Sequence, residues 1–467
     1  MKNIYIGYIS VFRTNENDTA EITYSLSLSG RADRINAKLS NEACCKAAIN
    51  NIALNKQAEK LDMAICIISP GVQTVQSSYN YFKKRISEYH KEVTSDIEIC
   101  SVNISDSDEQ NNVFSSTLKA ISDKITEFAQ ANDEDIAIHL DISGGKRNAV
   151  ILIQLLTKCL SYYGYKTHAY YAELTGTNEG RVVSCDTSYR QMDILDSVNE
   201  FLSHGNAFPL HKTLYSGINH RTDILIKAMY DISETITLCR TKELPEKMQR
   251  LHSAVTNYRN TAGQSHITDD ELMIYILLPL IEKKFFNGEG EPDLCRVIRW
   301  CIDNGLIQQA LTIYAQLIPK YIFDKGLIAN ARLLLQAVAE RNNNREDYFE
   351  ALTELTITED NDRRNQLSRL RNVRYIGENE LPYRAVLGVD RTTVQHVIAD
   401  VMLIKKIRHC VSHADTAINA NQAYCTYAFD TYGYKTYQNN GFTISNIIED
   451  VCRALDRLEA AVTEMAD

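Results

Sequence analysis

Proline and glycine are scarce in this sequence, at 7 and 19 of 467 residues. That excludes a collagen-like chain and argues against long low-complexity linkers. The 12 cysteines form no C-x-x-C pair. The vicinal Cys44–Cys45 is a poor zinc arrangement, and with no signal peptide the set reads as reduced thiols of a cytoplasmic protein. Positive charge is in deficit, 50 Lys and Arg against 60 Asp and Glu, for a net charge of -10. This excludes a general nucleic-acid coat protein, which needs a cationic footprint, but not a local basic site. Long apolar runs are missing too. The most apolar stretch, Met273–Ile281, is too short to span a bilayer and contains Pro279, so it is expected to be a buried helix and no membrane partner is expected.

What is present is ordinary for a globular chain: 44% hydrophobic and 24% charged residues, enough for two or three domains. The first 200 residues alternate between strand-like and helix-like runs. Strands are expected at Asn3–Val11, Met63–Ser69, Asp96–Val102, Asp135–Asp141, Thr167–Glu173 and Arg181–Cys185, the last two as a hairpin around Gly176–Gly180. Helices are expected at Asn41–Leu61, at about Val75–Glu92 and Asn112–Ala131, and after Asn148. Such alternation predicts a doubly wound α/β domain with a parallel sheet, ending near Glu200. From Leu210 onward helical periodicity takes over, with Asn304–Gly305 as a helix stop between two helices of Trp300–Tyr314. A helix is also expected at Thr392–His413 and a terminal one at Ile444–Glu464.

Two constellations suggest chemistry. The first is D-I-S-G-G-K-R-N, Asp141–Asn148, at the carboxyl end of a predicted strand and the start of a helix. Open α/β sheets bind ligands there. Its glycines let backbone N–H groups approach an anion, the helix start adds partial positive charge, and Lys146 and Arg147 add full charges. Ser143, Gly144, Gly145, Lys146, Arg147 and Asn148 are therefore candidate contacts to a phosphate-bearing ligand. Ser10, within the Ser10–Asn17 loop, and Ser69 and Gly71, in the turn after the strand at Met63–Ser69, end on the same edge and would complete the pocket. The bland alternative is a tight turn with solvated Lys and Arg. The motif is neither G-x-x-x-x-G-K-S/T nor G-x-G-x-x-G.

The second is I-R-H-C-V-S-H-A-D, Ile407–Asp415, with Arg408 and His413 five residues apart after a long apolar helix. A histidine near its natural pKa can take a proton from a ribose 2′-OH or give one to the leaving oxygen, while an arginine holds the phosphate. On a regular helix the two would point about 140° apart. So either the helix ends here or two copies combine across a dimer. The alternative is a helix-end Arg and His that only complement the helix dipole. The spacing recurs at Arg85/His90, expected on a solvent face, and at Arg391/His396, at a helix start. Arg259/His266, with Asn260 behind the arginine and expected in a loop, is the serious competitor. Arg363, Arg364, Arg369, Arg371, Arg374 and Lys405–Lys406 could hold an RNA backbone. Tyr424, Tyr427, Tyr432, Tyr434 and Tyr437 could stack bases.

D-I-S-G-G-K-R at Asp141–Arg147 and R-H-C-V-S-H at Arg408–His413, joined by a helical middle, resemble the CARF–HEPN ribonucleases that accompany type III CRISPR systems in antiviral defence. The resemblance implies a Rossmann-like CARF sensor domain over residues 1–200, an all-α connector over 201–340 and an all-α HEPN ribonuclease domain over 341–467. It implies a homodimer that binds cyclic oligoadenylate as activator, needs no cofactor or metal, and cuts single-stranded RNA to 2′,3′-cyclic phosphate ends with Arg408 and His413. Some such sensor domains slowly degrade their activator. One position departs from the pattern: the residue after the arginine is often Asn, and here it is His409, which could assist the cut or alter it. A non-catalytic nucleotide sensor with a degenerate HEPN domain is the alternative, and an α/β enzyme acting on a nucleotide at Asp141–Asn148 is a third reading.

Overall fold

The computed structural model describes residues 1–9, 21–28, 31–55, 59–68, 73–93, 96–104, 115–132, 134–143, 149–214, 220–262, 267–328, 331–341, 345–356, 391–412 and 443–464. The chain divides into two compact units, Met1–Met192 and Asp193–Asp467.

The first unit is built on one eight-stranded sheet: β1 (Lys2–Tyr8), β2 (Ile22–Leu28), β3 (Arg31–Ala37), β4 (Leu61–Ile68), β5 (Glu98–Asn103), β6 (Ile136–Asp141), β7 (Lys166–Leu174) and β8 (Glu179–Ser184), in the order β3-β2-β8-β7-β6-β1-β4-β5. The centre, β7-β6-β1-β4-β5, is parallel, as expected of buried runs such as Leu61–Ile68. The whole sheet is not. β8 runs against β7, and β2 runs against β3 while pairing parallel to β8, so the expected parallel sheet is a mixed one. The reasons are the β7–β8 hairpin, formed as expected around Gly176–Gly180, and the unexpected pair β2 and β3. Its first strand, I-T-Y-S-L-S-L, has the strict alternation of a half-buried strand, with Tyr24 and Leu26 inward. A glycine is required where β8 meets it: a Cβ on Gly180 would sit 2.5 Å from the Tyr24 ring and 2.8 Å from the Glu173 carbonyl oxygen.

Helices α1 (Ser40–Asn55) and α2 (Gln73–Val93) cover one face, over Tyr5, Cys66, Tyr170 and Val182. Helices α3 (Ser115–Ala131) and α4 (Ala149–Tyr162) cover the other, over Ile4, Ile6, Ile65 and Ile138. From β1 the chain reaches β4 through α1; from β6 it reaches β7, on the opposite side, through α4. The carboxyl ends of β1 and β6 thus flank the switch point where open α/β sheets form a crevice.

The described part of the second unit is helical: α5 (Asp186–His204, entering from the first unit), α6 (Phe208–Leu214), α7 (His220–Thr237), α8 (Leu244–Ala262), α9 (Asp269–Phe285), α10 (Leu294–Asp303), α11 (Ile307–Asp324), α12 (Ala331–Arg341), α13 (Tyr348–Thr356), α14 (Arg391–Ser412) and α15 (Ile444–Glu464). Its buried residues form one cluster reaching from Ile194 to Ala461, with Trp300 donating to the Leu202 carbonyl at 2.6 Å. Asn304–Gly305 stops α10 as expected, with Gly305 at φ +72° and the Leu306 N–H on the Cys301 carbonyl. The apolar stretch Met273–Ile281 lies in α9, but it is not a buried helix. Ile274, Leu278 and Ile281 face the core while Leu272, Ile276 and Leu280 are exposed, because both sides of the helix are apolar. Among the described residues no helix is long and apolar enough to cross a membrane.

Candidate functional site

At the end of β6 the backbone leaves the sheet through Asp141, Ile142 and Ser143. Asp141 is fully buried. Its Oδ1 accepts from the Ser143 N–H at 2.8 Å and the Ser143 hydroxyl at 2.6 Å. The same hydroxyl accepts from the Ala172 N–H of β7 at 2.8 Å, and the Cys44 thiol of α1 lies 3.1 Å from it. The aspartate thus ties the strand end to the start of the S-G-G turn, and the next strand and helix hold that serine from two sides.

Asp141 Oδ2 lies 3.1 Å from the Tyr5 hydroxyl, which is also 3.0 Å from the Asn41 carbonyl oxygen. Tyr5 has one proton and faces two acceptors. A proton on Asp141 completes the set, running from the acid to Tyr5 and from Tyr5 to Asn41. Burial pushes the Asp141 carboxyl up, against the hydrogen bonds from Ser143, Cys44 and Tyr5, which pull it down. Burial likewise raises the Tyr5 and Cys44 groups, so both remain neutral donors.

A second polar chain crosses the same face. Asn51 donates to the Tyr170 hydroxyl at 3.0 Å, Tyr170 lies 3.0 Å from His139 Nδ1, and His139 Nε2 lies 3.2 Å from Asn3 Oδ1. Asn3 Nδ2 donates to the Lys60 carbonyl, so Oδ1 faces the histidine and sets its tautomer with the proton on Nε2. Burial first, then His168 stacked at 5.2 Å, holds the His139 imidazole down to about 3, and it stays neutral.

In the helical unit, α14 is buried along Val397, Ile398, Val401, Ile404 and Ile407. Its last turn presents Arg408 half-buried and His409 exposed, with Cys410 returning to the core. Arg408 Nε is buried and has no hydrogen-bond partner. Lys405, one turn earlier, lies over the Phe349 ring at 3.1 Å; burial lowers its ammonium, with Asp347 opposing and Arg408 adding to the drop. Eight residues before Arg408, the buried Asp400 meets Arg457 of α15 at 3.3 Å, and its carboxyl is pushed up to about 7 because burial outweighs the arginine.

Of the expected site residues, Ser143, Arg408 and His409 are described. Ser10, Ser69, Gly71, Gly144, Gly145, Lys146, Arg147, Asn148, His413 and His266 lie outside the described residues, as do the arginine cluster at 363–374 and the tyrosines at 424–437. Two expectations about other pairs are corrected. Arg259 is in the last turn of α8, not a loop, and its guanidinium is paired with Glu282 at 2.5 Å. Arg85 and His90 are not on a solvent face: Arg85 Nε pairs with buried Glu42 at 2.9 Å and His90 is 0% exposed, because α2 turns that side toward α1. The sequence does not point to Asn41 or Tyr5 as site residues, and Cys44 stands out in it only as half of a vicinal pair. The only other signal is an asparagine at a predicted helix start. Among the described residues no group of three or more His, Cys, Asp or Glu could hold a metal. No protein-family model matches the chain, and no curated protein matches it.

Proposed function

We propose that this protein is a cyclic-oligoadenylate-activated endoribonuclease of type III CRISPR antiviral defence, with a CARF-type sensor over residues 1–200, a connector over 201–340 and a HEPN-type ribonuclease over 341–467. The observation that carries this reading is Arg408. Its Nε is buried without a partner at the tip of a helix anchored in the core, and a buried guanidinium N–H left unpaired is a ready donor to an anion. A scissile phosphate supplies that anion. His413 takes the 2′-OH proton, the 2′ oxygen attacks phosphorus, and the P–O5′ bond breaks with a proton delivered to O5′. The products are a 2′,3′-cyclic phosphate and a 5′-OH. This chemistry needs an acid, a base and a fixed cation, and no metal. Two copies bring together the arginine and histidine that one copy's five-residue spacing on a helix would point apart.

The sensor half is supported by the Asp141–Ser143 anchor at the switch point, next to Gly144–Asn148. A homodimer is supported by α4, the helix that follows this turn. Its outer side carries Ile151, Leu155, Cys159 and Tyr162 in one exposed apolar stripe, which a second copy would cover.

The test is cleavage of single-stranded RNA in EDTA, with and without cyclic oligoadenylates of different ring size. Activated wild type is expected to cut, and His413→Ala and Arg408→Ala each to lose at least about 10²-fold. If His413→Ala cuts at the wild-type rate the assignment is wrong. If Arg259→Ala or His266→Ala abolishes cutting instead, that pair is the catalytic one. Ligand binding without RNA turnover under any condition would leave a non-catalytic sensor, and no thermal shift with any ring would remove the sensor as well.

A further inference from the structure

The first turn of α1 forms one side of the crevice at the switch point. Cys44, in the second turn, touches the Ser143 hydroxyl, and the carbonyl of Asn41, in the first, is held by the Tyr5 hydroxyl that also meets Asp141. Asn41 is 0% exposed, yet neither its Oδ1 nor its Nδ2 has a hydrogen-bond partner. Stranding both ends of a buried amide is costly, and native structures rarely do it without a ligand or water to complete the set. Every neighbour that the hydrogen-bonding cluster offers is already engaged: Tyr5 with Asn41's own carbonyl and Asp141, Ser143 with Asp141 and Ala172. Among the described residues of this cluster the amide therefore has no free partner to collapse onto.

We infer that Asn41 is the base-reading residue of the nucleotide site, its side-chain amide pairing with the donor–acceptor edge of an adenine. An amide offers one acceptor and one donor side by side. Adenine presents the complement on either edge, the N6 amino group beside N7 or N1, and Asn is the side chain suited to it. Phosphates bound at the helix starts would carry affinity without reading the base, whereas a buried amide is sensitive to the loss of one hydrogen-bonding group. The inference rests on the sensor reading proposed above, and it adds a residue on α1, remote in sequence from the glycine turn.

The experiment compares binding of a cyclic oligoadenylate with the same ring in which each adenine is replaced by unsubstituted purine. That probe lacks the N6 donor but keeps both ring nitrogens, so turning the Asn41 amide over cannot rescue it. The wild-type chain is expected to prefer adenine by at least about tenfold, and Asn41→Ala to bind the two rings within about threefold of each other. Thermal unfolding checks that the variant is folded; Asn41→Ser, which cannot span two groups, serves if it is not and is expected to lose the same preference. If the wild type discriminates and both variants keep the ratio, or if the wild type binds both rings equally, Asn41 does not read the base while the sensor stands. If the wild type binds neither ring, the sensor reading fails and takes this inference with it. An amide that only orders a buried water would alter stability and leave the ratio unmoved.

Discussion

Asp141 and Asp400 are both fully buried acids with raised carboxyls, but they are held in different ways. Asp141 faces neutral groups, the Ser143 N–H and hydroxyl and the Tyr5 hydroxyl. Asp400 faces the Arg457 guanidinium at 3.3 and 3.4 Å. The charged partner does not bring Asp400 back to an ordinary carboxylate, since its carboxyl still stands at about 7. Two long contacts to a half-buried arginine offset less than burial costs. The neutral cage at Asp141 does something else: it fixes the backbone of a strand end in place. One acid joins two helices, and the other builds the edge of a crevice.

The largest expected effect separates these roles. Asp141→Ala strands the Ser143 N–H and hydroxyl and should destabilise the first unit by about 3 kcal/mol. Asp141→Asn should be close to neutral, because its amide oxygen still accepts from Ser143 and its N–H donates to Tyr5 as a protonated acid does. Asp400→Ala should cost only about 1 kcal/mol, since Arg457 can turn to water. Denaturant unfolding measures all three, and a large loss in Asp141→Asn would show that the charge itself is needed.

The next effect is a pair of opposite pH responses. Asp400 is at about 7 in the fold against an ordinary 3.8. Between these values the unfolded chain releases a proton that the fold retains, so this group's contribution falls as pH rises from about 4 to 7. His139 is at about 3 in the fold against an ordinary 6.5. Between these values the unfolded chain binds a proton that the fold refuses, so its contribution is intact above 6.5 and is lost as pH falls toward 3. Each slope is at most about 1.4 kcal/mol per pH unit. Trp300 is the single tryptophan, buried in the helical unit, and its fluorescence should show acid stabilisation that Asp400→Asn removes. Amide exchange in β6, compared between wild type and His139→Gln at each pH, should show acid destabilisation that the variant lacks. Slopes of the same sign would break the contrast.

The smallest expected effect is at Arg259. Its pair with Glu282 is exposed, so Arg259→Ala should change stability by less than about 0.5 kcal/mol. RNA cleavage at the wild-type rate in that variant would sharpen the assignment to Arg408.

Much of the first unit could be read from the sequence because its central strands are continuous apolar runs and its helices are amphipathic. The pair β2–β3 is hidden in the sequence although I-T-Y-S-L-S-L alternates strictly; Arg31, Asp33 and Arg34 in β3, the charges that suit an edge strand, obscure the pattern. Asp141 and Ser143 were legible as a local motif. Their partners were not, because Tyr5 and Cys44 come from 136 and 99 residues away and only the sheet order brings them together. Arg85 misled for a related reason: a charged residue on an amphipathic helix reads as solvated, and only Glu42 on another helix explains its inward turn.

The 22 residues of α14 make a rod about 33 Å long, clamped along one side by the core and carrying Arg408 near its end. Such a rod behaves as a lever. A tilt of about 10° around its middle carries the tip through about 3 Å, as far as a hydrogen bond is long. Misplacing a reacting group by a third of that distance can slow a reaction a hundredfold. The register of one arginine is therefore set by how the whole helix lies, so that, on the function proposed above, packing changes two or three turns away would shift Arg408 without touching it.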